Sequence, residues 1–117
     1  MIKIFTKLYP YRLNLKSKEP VDLEIKLKNL SNSAKQISIE LIPDSDLSLE
    51  KTGSKRNEYK RLGVIKSHES ITLNYSVYPF TGIVPGKHFI KIIVGEHTAD
   101  YNVVNDSYES IVLLNTV

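Results

Sequence analysis

Hydrophobic and polar positions alternate with a period of two along most of this chain. The cleanest instance sets Val21, Leu23, Ile25 and Leu27 against Asp22, Glu24, Lys26 and Lys28. Successive strand residues point to opposite faces, so the first set predicts a buried face and the second a wet one. An amphipathic helix would need apolar residues at spacings of three and four, which this segment lacks. The outer charges change sign midway, which predicts cross-strand ion pairs and a blunted sheet edge.

The same pattern extends in both directions. Ile2, Ile4 and Thr6 alternate with Lys3, Phe5 and Lys7; Pro10 interrupts this strand, and Leu13 and Leu15 resume it. A proline break fits a sandwich edge, where the missing N–H faces solvent, and predicts that the first strand changes sheets there. A turn is expected at Lys18-Glu19-Pro20 and a loop from Asn29 to Ala34. Ile37, Ile39 and Leu41 form the next inward face, ended by Pro43, and Leu47 and Leu49 add a short strand. Residues 51 to 61, K-T-G-S-K-R-N-E-Y-K-R, gather Lys51, Lys55, Arg56, Lys60 and Arg61 and read as an exposed loop.

From Arg61 to Val94 the chain reads strand, turn, strand, turn, strand. Ile71, Leu73, Tyr75 and Val77 face inward, opposite Thr72, Asn74, Ser76 and Tyr78, and Pro79 ends the strand because it has no N–H for a ladder. Pro85-Gly86 carries the chemistry of a type II turn. His88, Ile90, Ile92 and Val94 then form one face, and Phe89, Lys91 and Ile93 the other; both are largely apolar, which predicts a central strand closed by Gly95. Tyr101 and Val103 are expected inward on a short strand. S-I-V-L-L-N-T-V predicts a final strand, apolar on both faces. The count reaches about eight strands with regularly spaced turns, an all-β pattern with no helix, repeat or linker.

The segments L-G-V-I-K-S-H-E-S-I-T-L-N-Y-S-V and P-G-K-H-F-I-K-I-I-V resemble the E and F strands of CARDB-type immunoglobulin-like domains, common in archaeal and bacterial chains. With the Asn29 region, the resemblance covers about two-thirds of the chain. It implies an immunoglobulin-like antiparallel β-sandwich of about 7–8 strands and a generic adhesive or spacer role. It carries no catalytic residue over. Two positions depart from the family pattern. His68 stands where glycine is usual before the Glu-Ser pair, and His88 where an aromatic is usual.

At 117 residues the chain is expected to form a single domain, 1–117. A domain of this size can bury a core without metals or disulfides. The apolar content of 41% with 25% charged residues is globular, not disordered. The absence of cysteine removes disulfides, thiolate nucleophiles and Cys-based metal sites. No long apolar h-region opens the chain and no window is long enough for a membrane span. A cytoplasmic location is the default expectation, and an extracellular one applies if the chain is trimmed from a longer secreted protein. A net charge of +3 is mild, so nucleic acid is not an expected partner. The many Lys and Ile, the single Met and the lack of Cys suit a thermophilic source, and the family resemblance allows an archaeal one.

No sequence motif commits the chain to a reaction. There is no G-x-S-x-G, no glycine-rich phosphate loop and no metal-ligand spacing. The reading is therefore no enzyme, no cofactor and no metal. His88 is expected to pack as an aromatic substitute with one hydrogen bond, His97 and Asp100 to sit in a solvated turn, and His68 to be exposed. Asp44 and Asp46 flank a turn, where aspartate caps the backbone. Seven tyrosines point to protein contact or, in another reading, to carbohydrate stacking. Tyr78, Phe89 and Ile93 are expected to share an outer face and form a partner contact. Lys51, Lys55, Arg56, Lys60 and Arg61 are the candidate anion contact, and an alternative reading of the chain is an anion or nucleic-acid binder acting through this 51–61 loop. The expected partner is another protein or a second copy of the chain, the latter through an apolar edge strand at Ile111 to Leu114.

Overall fold

The structure, a computed structural model, describes residues 1–17, 19–52, 57–80, 82–98 and 100–117. The alternating segments become β1 (Ile2–Tyr9), β2 (Arg12–Leu13), β3 (Val21–Asn29), β4 (Lys35–Pro43), β5 (Leu47–Ser48), β6 (Glu58–Ile65), β7 (Ser70–Pro79), β8 (Gly86–His97) and β9 (Asp106–Thr116). They form a four-stranded sheet, β1-β3-β7-β5, and a five-stranded sheet, β2-β9-β8-β4-β6. All pairs are antiparallel except the short β2–β9 contact.

The core lies between the sheets and is built by the predicted inward residues. Leu23, Ile25 and Leu27 of one sheet meet Ile37, Ile39, Leu41, Ile90, Ile92 and Leu114 of the other, all fully buried. The first strand changes sheets as expected: β1 pairs with β3, the chain turns at Pro10, and β2 joins β9 on the opposite layer. Leu13 is thereby carried into the core.

Five expectations are corrected. β3 is not an edge strand but lies between β1 and β7, so its outer charges do not guard an edge. The register sets Lys7 opposite Glu24 but Lys3 opposite Lys28, which limits ion pairing along β3. The presumed loop 51–61 ends early, because Glu58 to Arg61 extend β6 along β4. Gly95 does not close β8, which continues to His97 because pairing with β4 and β9 persists past it. Tyr101 and Val103 lie in the turn between β8 and β9 and belong to no strand. The expected turn at Lys18 lies outside the described residues in its first position.

One end of the sandwich is closed by a side chain. Asn29 is fully buried. Its Nδ2 donates to the carbonyls of Ser33 and Ile65, both at 2.9 Å. Its Oδ1 accepts from the Ser31 N–H at 2.9 Å and the Ser31 hydroxyl at 2.6 Å. Nearby, His68 has φ of 62°, so the turn keeps the left-handed conformation that glycine favours although histidine occupies it. Among the described residues no helix is long and apolar enough to cross a membrane.

Candidate functional site

The residues selected from sequence do not assemble as expected. Tyr78 lies on β7, in the four-stranded sheet, whereas Phe89 and Ile93 lie on β8, in the five-stranded one. The chain crosses between layers after Pro79, so these three residues cannot share a face. Lys60 and Arg61 are both exposed but adjacent on one strand, and so leave it on opposite sides. Lys55 and Arg56 lie outside the described residues. Lys51 is exposed after β5 and shares a cleft with Tyr78 instead. Both line a cleft of about 420 Å³ with Leu15, Phe80 and Ile83.

Phe89 and Ile93 do belong to an apolar surface, the outer face of the five-stranded sheet. The register sets Phe89 opposite Leu113, Lys91 opposite Ile111 and Ile42, and Ile93 opposite Glu109 and Glu40. Glu40 in turn faces Tyr59. Tyr59 is 51% exposed, Phe89 44%, Ile111 61% and Leu113 66%. The outer face of the four-stranded sheet differs. It carries Lys3, Lys7, Asp22, Glu24, Lys26 and Lys28, with Phe5 flanked by Lys3 at 5.0 Å and Lys26 at 5.9 Å. Charged side chains dominate there, as on an ordinary solvated surface.

A polar notch sits at one end of the apolar face. His97 is buried, not solvated, and does not pair with Asp100 as a ligand would. Its Nδ1 lies 2.9 Å from the Val103 carbonyl, which can only accept, so Nδ1 carries a proton. In the neutral ring Nε2 is then an acceptor, and the Ser38 hydroxyl donates to it at 2.8 Å. Gly95 makes the room. A Cβ there would stand 2.9 Å from Ser38 Oγ and 3.1 Å from His97 Nε2. A bulge at Ile37/Ser38 shifts the β4–β6 register, with Gly63 at φ 79°. The Gly63 N–H donates to the Tyr101 hydroxyl at 2.9 Å, and the Tyr101 ring lies 5.0 Å from His97. The Arg61 guanidinium covers that ring at 4.8 Å. Ser38, Tyr59, Ile93, His97, Tyr101 and Val104 line a cavity of about 260 Å³. Sequence reasoning missed this notch because its parts lie in three strands and a turn.

On the inner side of the same end, Glu96 accepts from Lys35 Nζ at 3.1 Å and from the Tyr108 hydroxyl at 2.9 Å. Burial pushes the Glu96 carboxyl up, but these two hydrogen bonds and the lysine charge outweigh it and hold it below its ordinary value. Burial and the facing carboxylate push the Tyr108 hydroxyl up to about 12.

A second polar cluster lies at the opposite end of β8. His88 is buried, yet it has more than the one partner expected. Its Nε2 donates to the Val84 carbonyl at 3.2 Å. Its Nδ1 lies 3.1 Å from Asp44 Oδ2 and 3.7 Å from Asp46 Oδ2. Asp44 also caps its turn as predicted: Oδ1 accepts from the Asp46 N–H at 2.9 Å, and Oδ2 from the Phe89 N–H at 3.0 Å.

No protein-family model matches the sequence, and no curated protein matches it either. Solved structures do match in fold. Native α2-macroglobulin from Escherichia coli, from domain MG7 to the C-terminus, aligns with TM-score 0.75 and 13% identity over 100% of this chain and 16% of that one. The fold is immunoglobulin-like. Its two layers face each other across one core, with β7 and β8 in opposite sheets. Trypsin-activated α2-macroglobulin from Escherichia coli aligns with TM-score 0.69 and 12% identity over 98% of this chain and 7% of that one. AvmM, which catalyses macrocyclisation in alchivemycin A biosynthesis, aligns with TM-score 0.64 and 11% identity over 98% of this chain and 88% of that one. This chain thus spans 16% and 7% of the two macroglobulin chains. At such identities the likeness concerns the fold alone.

Proposed function

We propose that this immunoglobulin-like domain is a non-catalytic interaction module that docks on another protein through the outer face of its five-stranded sheet. The observation that carries this reading is the difference between its two outer faces. One carries Lys3, Lys7, Asp22, Glu24, Lys26 and Lys28 around Phe5 and Tyr9; the other exposes Tyr59, Phe89, Ile111 and Leu113, with Glu40, Lys91 and Glu109 as its charged positions. Contiguous exposed apolar surface marks contact sites, and each Å² removed from water contributes about 25 cal/mol. The CARDB-type resemblance, with its adhesive or spacer role, agrees with this reading. Fold alone does not decide it, since AvmM shows that a similar sandwich can host an enzyme.

The test is a comparative pull-down at moderate salt, using the wild-type domain and a Phe89→Glu/Leu113→Glu variant with unchanged melting temperature. A polypeptide retained by the wild type and lost by the variant supports docking through this face. Equal retention by both, or none by either, rejects it. A second reading is favoured by the cleft that joins Tyr78 and Lys51. Its volume of about 420 Å³ lies in the range of small-ligand sites, and a stacking ring beside a cation suits a sugar acid or another small anion. Saturable binding abolished by Tyr78→Ala would favour it.

A further inference from the structure

The geometry points to a divalent transition-metal site formed by Asp44, Asp46 and His88. Two donors come from the turn between β4 and β5, and the other is the third residue of β8. One donor atom from each lies within 4.8 Å of the others. Two ligands about 2.1 Å from a tetrahedral ion stand about 3.4 Å apart. The His88 Nδ1 distances of 3.1 and 3.7 Å to the two carboxylates bracket that value.

The ring is already oriented as a ligand. His88 is 7% exposed, so its direction is fixed by packing. Its Nε2–H donates a hydrogen bond to the Val84 carbonyl. That leaves Nδ1 as the ring atom facing the two carboxylates. A backbone carbonyl holding the far N–H of a ligating histidine is the usual outer support of such sites. Asp46 is the open side. Its carboxylate is half exposed, and its nearest described partner is His88 at 3.7 Å, beyond hydrogen-bond reach. Water can complete the coordination there.

A mixed N/O donor set selects zinc and its neighbours cobalt and nickel, because an imidazole ligand disfavours calcium and magnesium. Bound metal would tie the β4–β5 corner to the start of β8 and so stabilise the folded chain by mass action. The site is independent of the apolar face, so it stands or falls separately from the docking reading.

The test uses the tag-free, chelator-treated chain titrated with Zn²⁺ by calorimetry, with melting temperature read in parallel. The expected result is one Zn²⁺ per chain, a raised melting temperature, and visible d–d absorption when Co²⁺ replaces zinc. Asp46→Asn should leave the metal-free melting temperature unchanged and weaken Zn²⁺ binding by about tenfold or more. His68→Asn, at the exposed histidine, keeps a residue that tolerates the left-handed backbone and should change neither. Absence of stoichiometric binding overturns the proposal and leaves His88–Asp44 a plain polar contact. Equal binding by wild type and Asp46→Asn also overturns it.

Discussion

Asn29 commits both ends of its amide to partners from which water is excluded. Removing it strands the Ile65 carbonyl and frees the 30–34 loop. Asn29→Leu should therefore cost about 2–4 kcal/mol, measured by chemical denaturation, although leucine is larger and apolar. Glu96 carries the acid side of the stability profile. Its folded carboxyl titrates below the ordinary 4.5. The contribution is thus complete above that value and is lost as pH falls through the lowered one. Glu96→Gln should cost about 1–2 kcal/mol at neutral pH and flatten the acid limb of a melting-temperature profile. Tyr108 acts at the other limit. Its hydroxyl is raised from 10.0 to about 12, so its contribution is complete below 10.0 and lost as pH rises through about 12. Tyr108→Phe should remove that alkaline loss.

At the scale of elements, the β4–β6 pair decides the shape of the polar notch. The bulge places Gly63 in left-handed conformation and turns its N–H toward Tyr101. A Cβ at Gly63 would meet nothing within 4 Å, so substitution there is a backbone cost alone. Gly63→Ala should destabilise by about 1–2 kcal/mol, and Gly63→Asn by clearly less. Equal losses for the two would mean that the left-handed conformation is not what glycine supplies. Gly95 is the contrasting case, where space decides. Gly95→Ala pushes a methyl into the Ser38–His97 hydrogen bond and should cost about 1–3 kcal/mol. The cost should shrink in a Ser38→Ala background, which a double-mutant cycle reads directly.

For the whole molecule, the two sheets place opposite surfaces outward. β9 contributes Val112 and Leu114 to the core while Ile111 and Leu113 face solvent. Its edge is covered by β2 only at Asn115 and Thr116. If a second copy covers this strand and face, light scattering should show a concentration-dependent dimer that Leu113→Lys abolishes. A strict monomer at high concentration would leave the docking surface to a different protein.

The alternation of the chain was enough to determine the buried faces of β3, β4 and β8, because period-two burial is a local property of each strand. The proline break at Pro10 likewise announced the change of sheet. Sequence also placed the turn at Asp44 and Asp46, since capping is local chemistry. Layer assignment was not local. Whether β7 and β8 lie side by side or across the core depends on how the connection after Pro79 closes. That crossing separated Tyr78 from Phe89 and Ile93. It was also only tertiary structure that brought Ser38 to His97, Lys51 to Tyr78, and His88 to two aspartates more than forty positions earlier. Contacts of that separation are set by register between strands, and no pattern within a single strand encodes them.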